Sequence, residues 1–175
     1  KLDRSPFEDA FDEIELLGFP VSCSPFDLLK TGHRGDVMAR ELLRYHKQTV
    51  RMLAYLVSRK HVPTKKGDMY FGTWIDAEGT FFDTAHFSDC LKHYPFQGGG
   101  CYLLLGTVEV DYHFPTITVQ KMAKMPFIPD PRYSSSDEKR QYMAHQNLRE
   151  DVSMTHRAPY PQEHEIGLPR HRMNR

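Results

Sequence analysis

The feature that most constrains this chain is a change of apolar period at Thr49. Before it, apolar residues recur at helical spacing. After it, Val50, Met52, Ala54 and Leu56 share one parity and Arg51, Leu53, Tyr55 and Val57 the other, the signature of a β-strand. The basic pair Arg59-Lys60 follows this run, and Pro63-Thr64-Lys65-Lys66-Gly67 reads as a turn. A second strand is expected over Met69 to Asp76, then a tight Ala77-Glu78-Gly79 turn in which the Asp76 side chain hydrogen-bonds the backbone and Gly79 takes positive φ. A third strand is expected over Thr80 to Phe87, and a short helix over Ser88 to Tyr94, capped by Ser88. Gly98-Gly99-Gly100 forces a flexible connection, and strands over Cys101 to Asp111 and Thr116 to Lys121 complete the series.

Three strands, a short helix and two more strands form the element order of an OB fold, a five-stranded Greek-key barrel. Spacing alone fits other small barrels as well. Residues 1–47 read as a helical lead-in. A helix over residues 5–17 places Phe7, Phe11, Ile14 and Leu17 on one face, with Ser5-Pro6 as N-cap and first turn and Gly18 as C-cap. Ser24-Pro25 opens a second short helix through Leu29. Asp36 to Tyr45 reads as a third, with Val37, Leu42 and Leu43 inward. The barrel is expected over 48–125. From Pro126 the chain turns polar and proline-rich, so 126–175 reads as a tail, extended or partly helical (Asp137 to Arg149), that drapes over the barrel or packs on a neighbour.

Composition excludes several classes. Hydrophobic residues are 39% of 175, enough for one core but not for one spanning the whole length. No apolar run approaches the ~18 residues of a membrane helix, so no membrane partner is expected. The opening residues are acidic and mixed, unlike a signal peptide, and they lack an initiator Met, as an excised piece would. Cys23, Cys90 and Cys101 are odd in number and far apart, which points to reduced thiols in a cytoplasmic protein. His61, His86, His93 and His113 show no metal-ligand spacing, and His164-Glu165 lacks a following His. No nucleophile elbow or phosphate loop is present; the three glycines lack a following Gly-Lys-Ser/Thr. Asp76 and Glu78 belong to a turn. No catalytic residue, metal or cofactor is therefore expected in these residues.

Binding chemistry remains. The net charge is zero, but residues 30–66 hold ten bases and two acids, a local +8, between acidic flanks of −5 (1–29) and −4 (67–129). Such a block is either a solvated helix face or a phosphate-binding footprint. A single-strand site needs cations along the phosphates and flat rings under the bases. The candidates are Arg51, Arg59, Lys60, Lys65 and Lys66 on or after the first strand. With them come Tyr55, Tyr70 and Trp74 on the first two strands, and Phe81, Phe82 and His86 on the third. Strand alternation puts half of these rings in the core: a buried Phe71 leaves Tyr70 exposed, and a bulge changes the face of Trp74.

The motifs also carry a resemblance. Phe11 to Ser22 (FDEIELLGFPVS) with Pro25, Leu53-Ala54-Tyr55-Leu56-Val57, and Thr64-Lys65-Lys66-Gly67-Asp68-Met69-Tyr70-Phe71 resemble the C-terminal, OB-containing region of bacterial DNA polymerase III alpha subunits. Asp76-Ala77-Glu78-Gly79, then Phe82-Asp83-Thr84 with His86-Phe87, and Gly106-Thr107-Val108 continue the match over roughly 8–125. His86 departs from it, where an apolar residue is usual, and so does Ser88, where Pro is common. The resemblance implies a non-catalytic part of a DNA-directed DNA polymerase, a nucleotidyltransferase of DNA replication that works with magnesium. Its clamp-binding peptide and catalytic carboxylates would lie upstream. This part would hold single-stranded template DNA beside the other domains and subunits of the polymerase holoenzyme, with Lys65 and Lys66 in the contact loop. The alternative is a protein-interaction or spacer domain within that holoenzyme.

Overall fold

The computed structural model describes residues 7–133. In this span five strands close into a barrel: β1 (Thr49–Thr64), β2 (Gly67–Ile75), β3 (Phe81–His86), β4 (Gly100–Asp111) and β5 (Phe114–Lys124). Their order is β1-β2-β3-β5-β4, with β4 pairing back onto β1. Every pairing is antiparallel except β3 with β5. A helix, α2 (Ser88–His93), joins β3 to β4. That order, closure and helix placement define an OB fold.

The barrel begins and ends differently from the sequence reading in several places. β1 runs through Thr64, so Arg59 and Lys60 lie inside it rather than after it. Ser88 does not cap α2: it is the first helical residue, and its hydroxyl donates to the Lys66 carbonyl (3.3 Å), tying the β1–β2 hairpin tip to the helix. The glycine connection before β4 is pinned, because Tyr102 Oη accepts from the Gln97 N–H (2.8 Å) and donates to the Gly98 carbonyl (2.7 Å). The β2–β3 turn forms as expected. Buried Asp76 accepts the Glu78 and Thr80 N–H groups at 2.9 Å each, Gly79 sits at φ 79°, and the second carboxylate oxygen takes the Ala39 N–H at 2.8 Å.

The interior is built from Val50, Met52, Ala54 and Leu56 of β1, Trp74, Phe82, Tyr102 and Leu104, and the inward residues of β5. Trp74 is fully buried. Its indole Nε1–H donates to Thr84 Oγ1 at 2.7 Å, which satisfies the one polar atom that burial would otherwise orphan. The indole lies across Gly72, where a Cβ would stand 2.5 Å from Nε1 and 2.8 Å from Thr84 Oγ1. Phe96 stacks on Trp74 at 6.2 Å between centroids, and Tyr102 meets it edge-on at 5.5 Å, closing this end of the barrel. His86 is buried in the same cluster, with Nε2 2.7 Å from Thr84 Oγ1 and Nδ1 lacking a partner among the described residues.

The lead-in covers one side of the barrel. α1 (Glu8–Leu17) ends at Gly18 in the left-handed region, and a 3₁₀ turn spans Ala39–Tyr45 with Leu42 buried and Leu43 facing solvent. Ser24 to Leu29 folds as turns, not as a helix. Leu29 bridges Phe127, and the Leu28 carbonyl accepts from Ile128 N–H (2.6 Å), so these backbone groups serve a β-like contact that a helix would have consumed. Phe26 and Leu29 pack on Leu53 and Cys101, burying the outer face of β1 and β4. The chain after β5 returns to this layer: Phe127 and Ile128 meet Ala10, Phe11 and Leu28, and Arg132 pairs with Asp12 and Asp130. Cys23, Cys90 and Cys101 are free thiols, and no helix among the described residues is long and apolar enough to cross a membrane. The Ser5-Pro6 cap and the Asp137 to Arg149 helix lie outside the described residues.

Gly72→Ala is expected to destabilise the barrel by about 2 kcal/mol, because the new methyl displaces a locked indole; urea midpoints measure it, and an unchanged midpoint refutes the packing role. Burial lowers the His86 pKa from 6.5 to about 4. The unfolded chain thus takes a proton near pH 6.5 that the folded chain refuses until about pH 4. Stability is full above that window and falls across it as pH drops, by roughly 3 kcal/mol at most. Urea midpoints near pH 7 and near pH 5 are expected to differ more for the native chain than for His86→Leu.

Candidate functional site

Two register features decide which side chains reach solvent. Inward Trp74 puts Phe71, Thr73 and Ile75 of β2 on the outer face. A bulge between Leu56 and Ser58 inserts one residue into β1, so the inward parity changes from even to odd. Beyond the bulge Arg59 opposes Gly72 and His61 opposes Tyr70 on the inner side, while Ser58 opposes Thr73 and Lys60 opposes Phe71 on the outer side.

The outer face of β2 and β3 is left open by the lead-in, and the pairing registers organise it into rows across the sheet. One row runs Lys60, Phe71, Ala85, Thr118; the next runs Ser58, Thr73, Asp83, Thr116; the third joins Ile75 to Phe81. Phe81 and Phe114 open β3 and β5, which run parallel, at the same end of this face. Rows lie about 6.6 Å apart along the strands. Ser58, Lys60, Phe71, Thr73, Asp83 and Thr116 line an open groove of about 490 Å³. Phe71 is 43% exposed and Phe81 65%. Thr73 Oγ1 donates to Asp83 Oδ1 at 2.9 Å, holding that carboxylate in place.

The sequence candidates divide. Lys60 lines the groove, and Lys65 and Lys66 are exposed at the two-residue turn between β1 and β2. That turn closes with Gly67 at φ 115° and with Thr64 Oγ1 donating to the Gly67 carbonyl at 2.6 Å. Trp74 and Phe82 are corrected: both are core side chains, opposite each other inside the barrel, and neither can stack on a ligand. Tyr70, also expected on the binding face, is on the inner side, half-buried against His61 (4.9 Å) and Phe96 (5.7 Å), while Phe71 faces out. Arg59 turns inward over the Phe96 ring at 5.1 Å. Arg51 lies on the lead-in side, gripped by both oxygens of Asp36 at 2.9 and 3.1 Å. That pair holds the Asp36 carboxyl below its ordinary value. Tyr55 packs under the lead-in, where burial raises its hydroxyl to about 12.

Sequence reasoning missed Phe71, Phe114 and Tyr112. The β4–β5 turn carries Tyr112 and His113 at φ 49° and 68°, and its rings point to solvent: Tyr112 is 95% exposed and Phe114 75%. β4 ends at Asp111 as expected, but without Gly or Asn the turn gives no composition signal, and β5 begins at Phe114, two residues before the expected Thr116. Among the described residues no group of three or more His, Cys, Asp or Glu is placed to hold a metal ion.

No protein-family model matches this chain, and no curated protein matches it in sequence. Among solved structures it is similar to the OBody AM1L10, determined bound to hen egg-white lysozyme, with a TM-score of 0.43, 12% identity, and coverage of 57% of this chain and 99% of that one. It is also similar to the second OB-fold domain of replication protein A from Methanococcus maripaludis, with a TM-score of 0.32, 15% identity, and coverage of 48% and 87%. The OB assignment itself rests on strand order, closure and the position of α2.

Left-handed backbone at two non-glycine residues costs about 1–2 kcal/mol each. Replacing Tyr112 by Asn and His113 by Gly is expected to raise stability by about 2 kcal/mol, read as a later urea midpoint. A midpoint that stays or falls contradicts the strain.

Proposed function

We propose that this chain is a non-catalytic OB module that binds single-stranded DNA on the open outer face of β2 and β3. The observation that carries the reading is solvent-exposed Phe71 beside Lys60 in one groove, with Phe81 exposed on the same face of the sheet. The cationic turn Lys65-Lys66 lies two rows further along the same hairpin. Exposed rings in a sheet face lose hydrophobic burial unless something flat covers them, and bases do so without regard to sequence. Lysines beside them neutralise the phosphates that arrive with the bases.

The finer assignment is to the C-terminal part of a DNA polymerase III alpha subunit, holding template near the polymerase site within the holoenzyme. It is supported by the motif series Thr64-Lys65-Lys66-Gly67, Met69-Tyr70-Phe71 and Asp76-Ala77-Glu78-Gly79. Polymerase carboxylates in the sequence upstream of residue 1 would decide it. A second reading, a protein-interaction domain, draws on Leu16, Leu17, Phe19 and Val21, exposed at the end of α1 and just after it.

Labelled oligo-dT titrated at low and moderate salt separates these readings. Binding is expected to weaken by about 100-fold for a tenfold rise in salt if three lysines meet phosphates. Phe71→Ala and Phe81→Ala are each expected to cost about 1–3 kcal/mol of binding. Lys65→Glu with Lys66→Glu should weaken binding at least tenfold, and Arg51→Ala should leave it nearly unchanged. Absence of binding at low salt overturns the nucleic-acid reading.

A further inference from the structure

A carboxylate in the middle of a polynucleotide groove needs a reason. Asp83 sits in the polar row between the ring rows, with Thr73 on one side and Thr116 on the other. Thr73 fixes Oδ1, while Oδ2 accepts no hydrogen bond among the described residues, and the side chain is exposed to the groove. A phosphate cannot settle there, because two anions at close range repel. Lys60 lies on β1, and Lys65 and Lys66 at the β1–β2 turn, so the phosphates belong toward β1 and that hairpin tip. What comes to Asp83 is therefore the edge of a base whose face lies on Phe71 or Phe81.

A carboxylate only accepts hydrogen bonds. Guanine presents two adjacent donors on its Watson–Crick edge, N1–H and the N2 amino group, which match the two oxygens. Cytosine and adenine present one amino group beside an acceptor ring nitrogen, which opposes the second oxygen. Thymine presents N3–H between two carbonyls, the poorest match. Resting on the single-strand reading above, we infer that Asp83 makes this groove prefer guanine, with Thr73 as a positioning residue for the carboxylate.

The test uses the whole chain and a short oligo-dT carrying one central dG, dI, dC or dA, with fluorescence anisotropy at constant salt. The dG oligonucleotide is expected to bind about tenfold tighter than oligo-dT, as one bidentate base contact allows. The dI oligonucleotide, lacking the amino group, should fall between them. Asp83→Ala should erase the difference and at the same time tighten oligo-dT, since an anion leaves the groove; loss of fold would weaken both. Thr73→Val, which keeps the charge and frees its rotamer, should shrink the preference. A thermal melt confirms that each exposed-site variant is folded. Equal affinity of the native chain for all five oligonucleotides overturns the guanine inference and leaves the single-strand reading standing. Failure to bind any of them at low salt overturns that reading as well.

Discussion

The indole of Trp74 lying across Gly72, with its N–H on Thr84, is the contact from which the outer surface follows. A β-strand shows alternate residues to opposite sides, so fixing one residue fixes the others. Turning Trp74 outward would expose a large ring, leave a cavity among Phe96, Tyr102 and Phe82, and cost Thr84 the hydrogen bond from the indole. With Trp74 inside, Phe71 and Thr73 must face out. Through the β2–β3 register so must Phe81 and Asp83. The rings available to a ligand are thus chosen by a core contact in which none of them takes part.

The bulge after Leu56 does for charge what Trp74 does for aromatics. Without the extra residue Arg59 would point outward and Lys60 into the barrel end. With it, Arg59 spreads its guanidinium over Phe96 and Tyr70, and Lys60 reaches the groove. The +8 block of the sequence is accordingly not one surface. Arg51 pairs with Asp36 at the surface on the lead-in side, and Arg59 stacks on the inner side. Lys60, Lys65 and Lys66 lie along one hairpin.

The strand order was legible because the β1–β2 and β2–β3 turns carry residues whose backbone chemistry is local. Asp76 caps its own turn through two N–H groups, and Gly67 and Gly79 occupy positive φ. Which face each strand shows was not legible. An inserted residue leaves no mark in the apolar pattern of β1, and Tyr70, Phe71 and Trp74 are hydrophobic on both parities. Trp74 and Phe82 therefore read as interface rings, whereas the structure buries both and turns Phe71 outward. The other errors also have tertiary causes: Ser88 prefers the Lys66 carbonyl to its own helix, and Ser24 to Leu29 gives up helical bonds to pair with the chain after β5.

The lead-in adds a directional constraint to the surface. By covering β1 and β4 with Phe26, Leu29 and the returning Phe127, it removes one side of the barrel from any ligand. The remaining open face is electrically graded: lysines toward β1 and the hairpin tip, a carboxylate on β3, then rings at Phe81 and Phe114. On the proposed reading a bound strand has little choice of orientation. Its phosphates track the lysine side, and its bases reach across β2 toward β3 and β5, where aromatic rows take their faces and the polar row takes their edges. A strand laid the opposite way would set phosphates against Asp83 and leave Lys60 facing bases, losing attraction at one side and gaining repulsion at the other. On that reading, polarity across the groove rather than total charge is what would let a chain of zero net charge hold a polyanion.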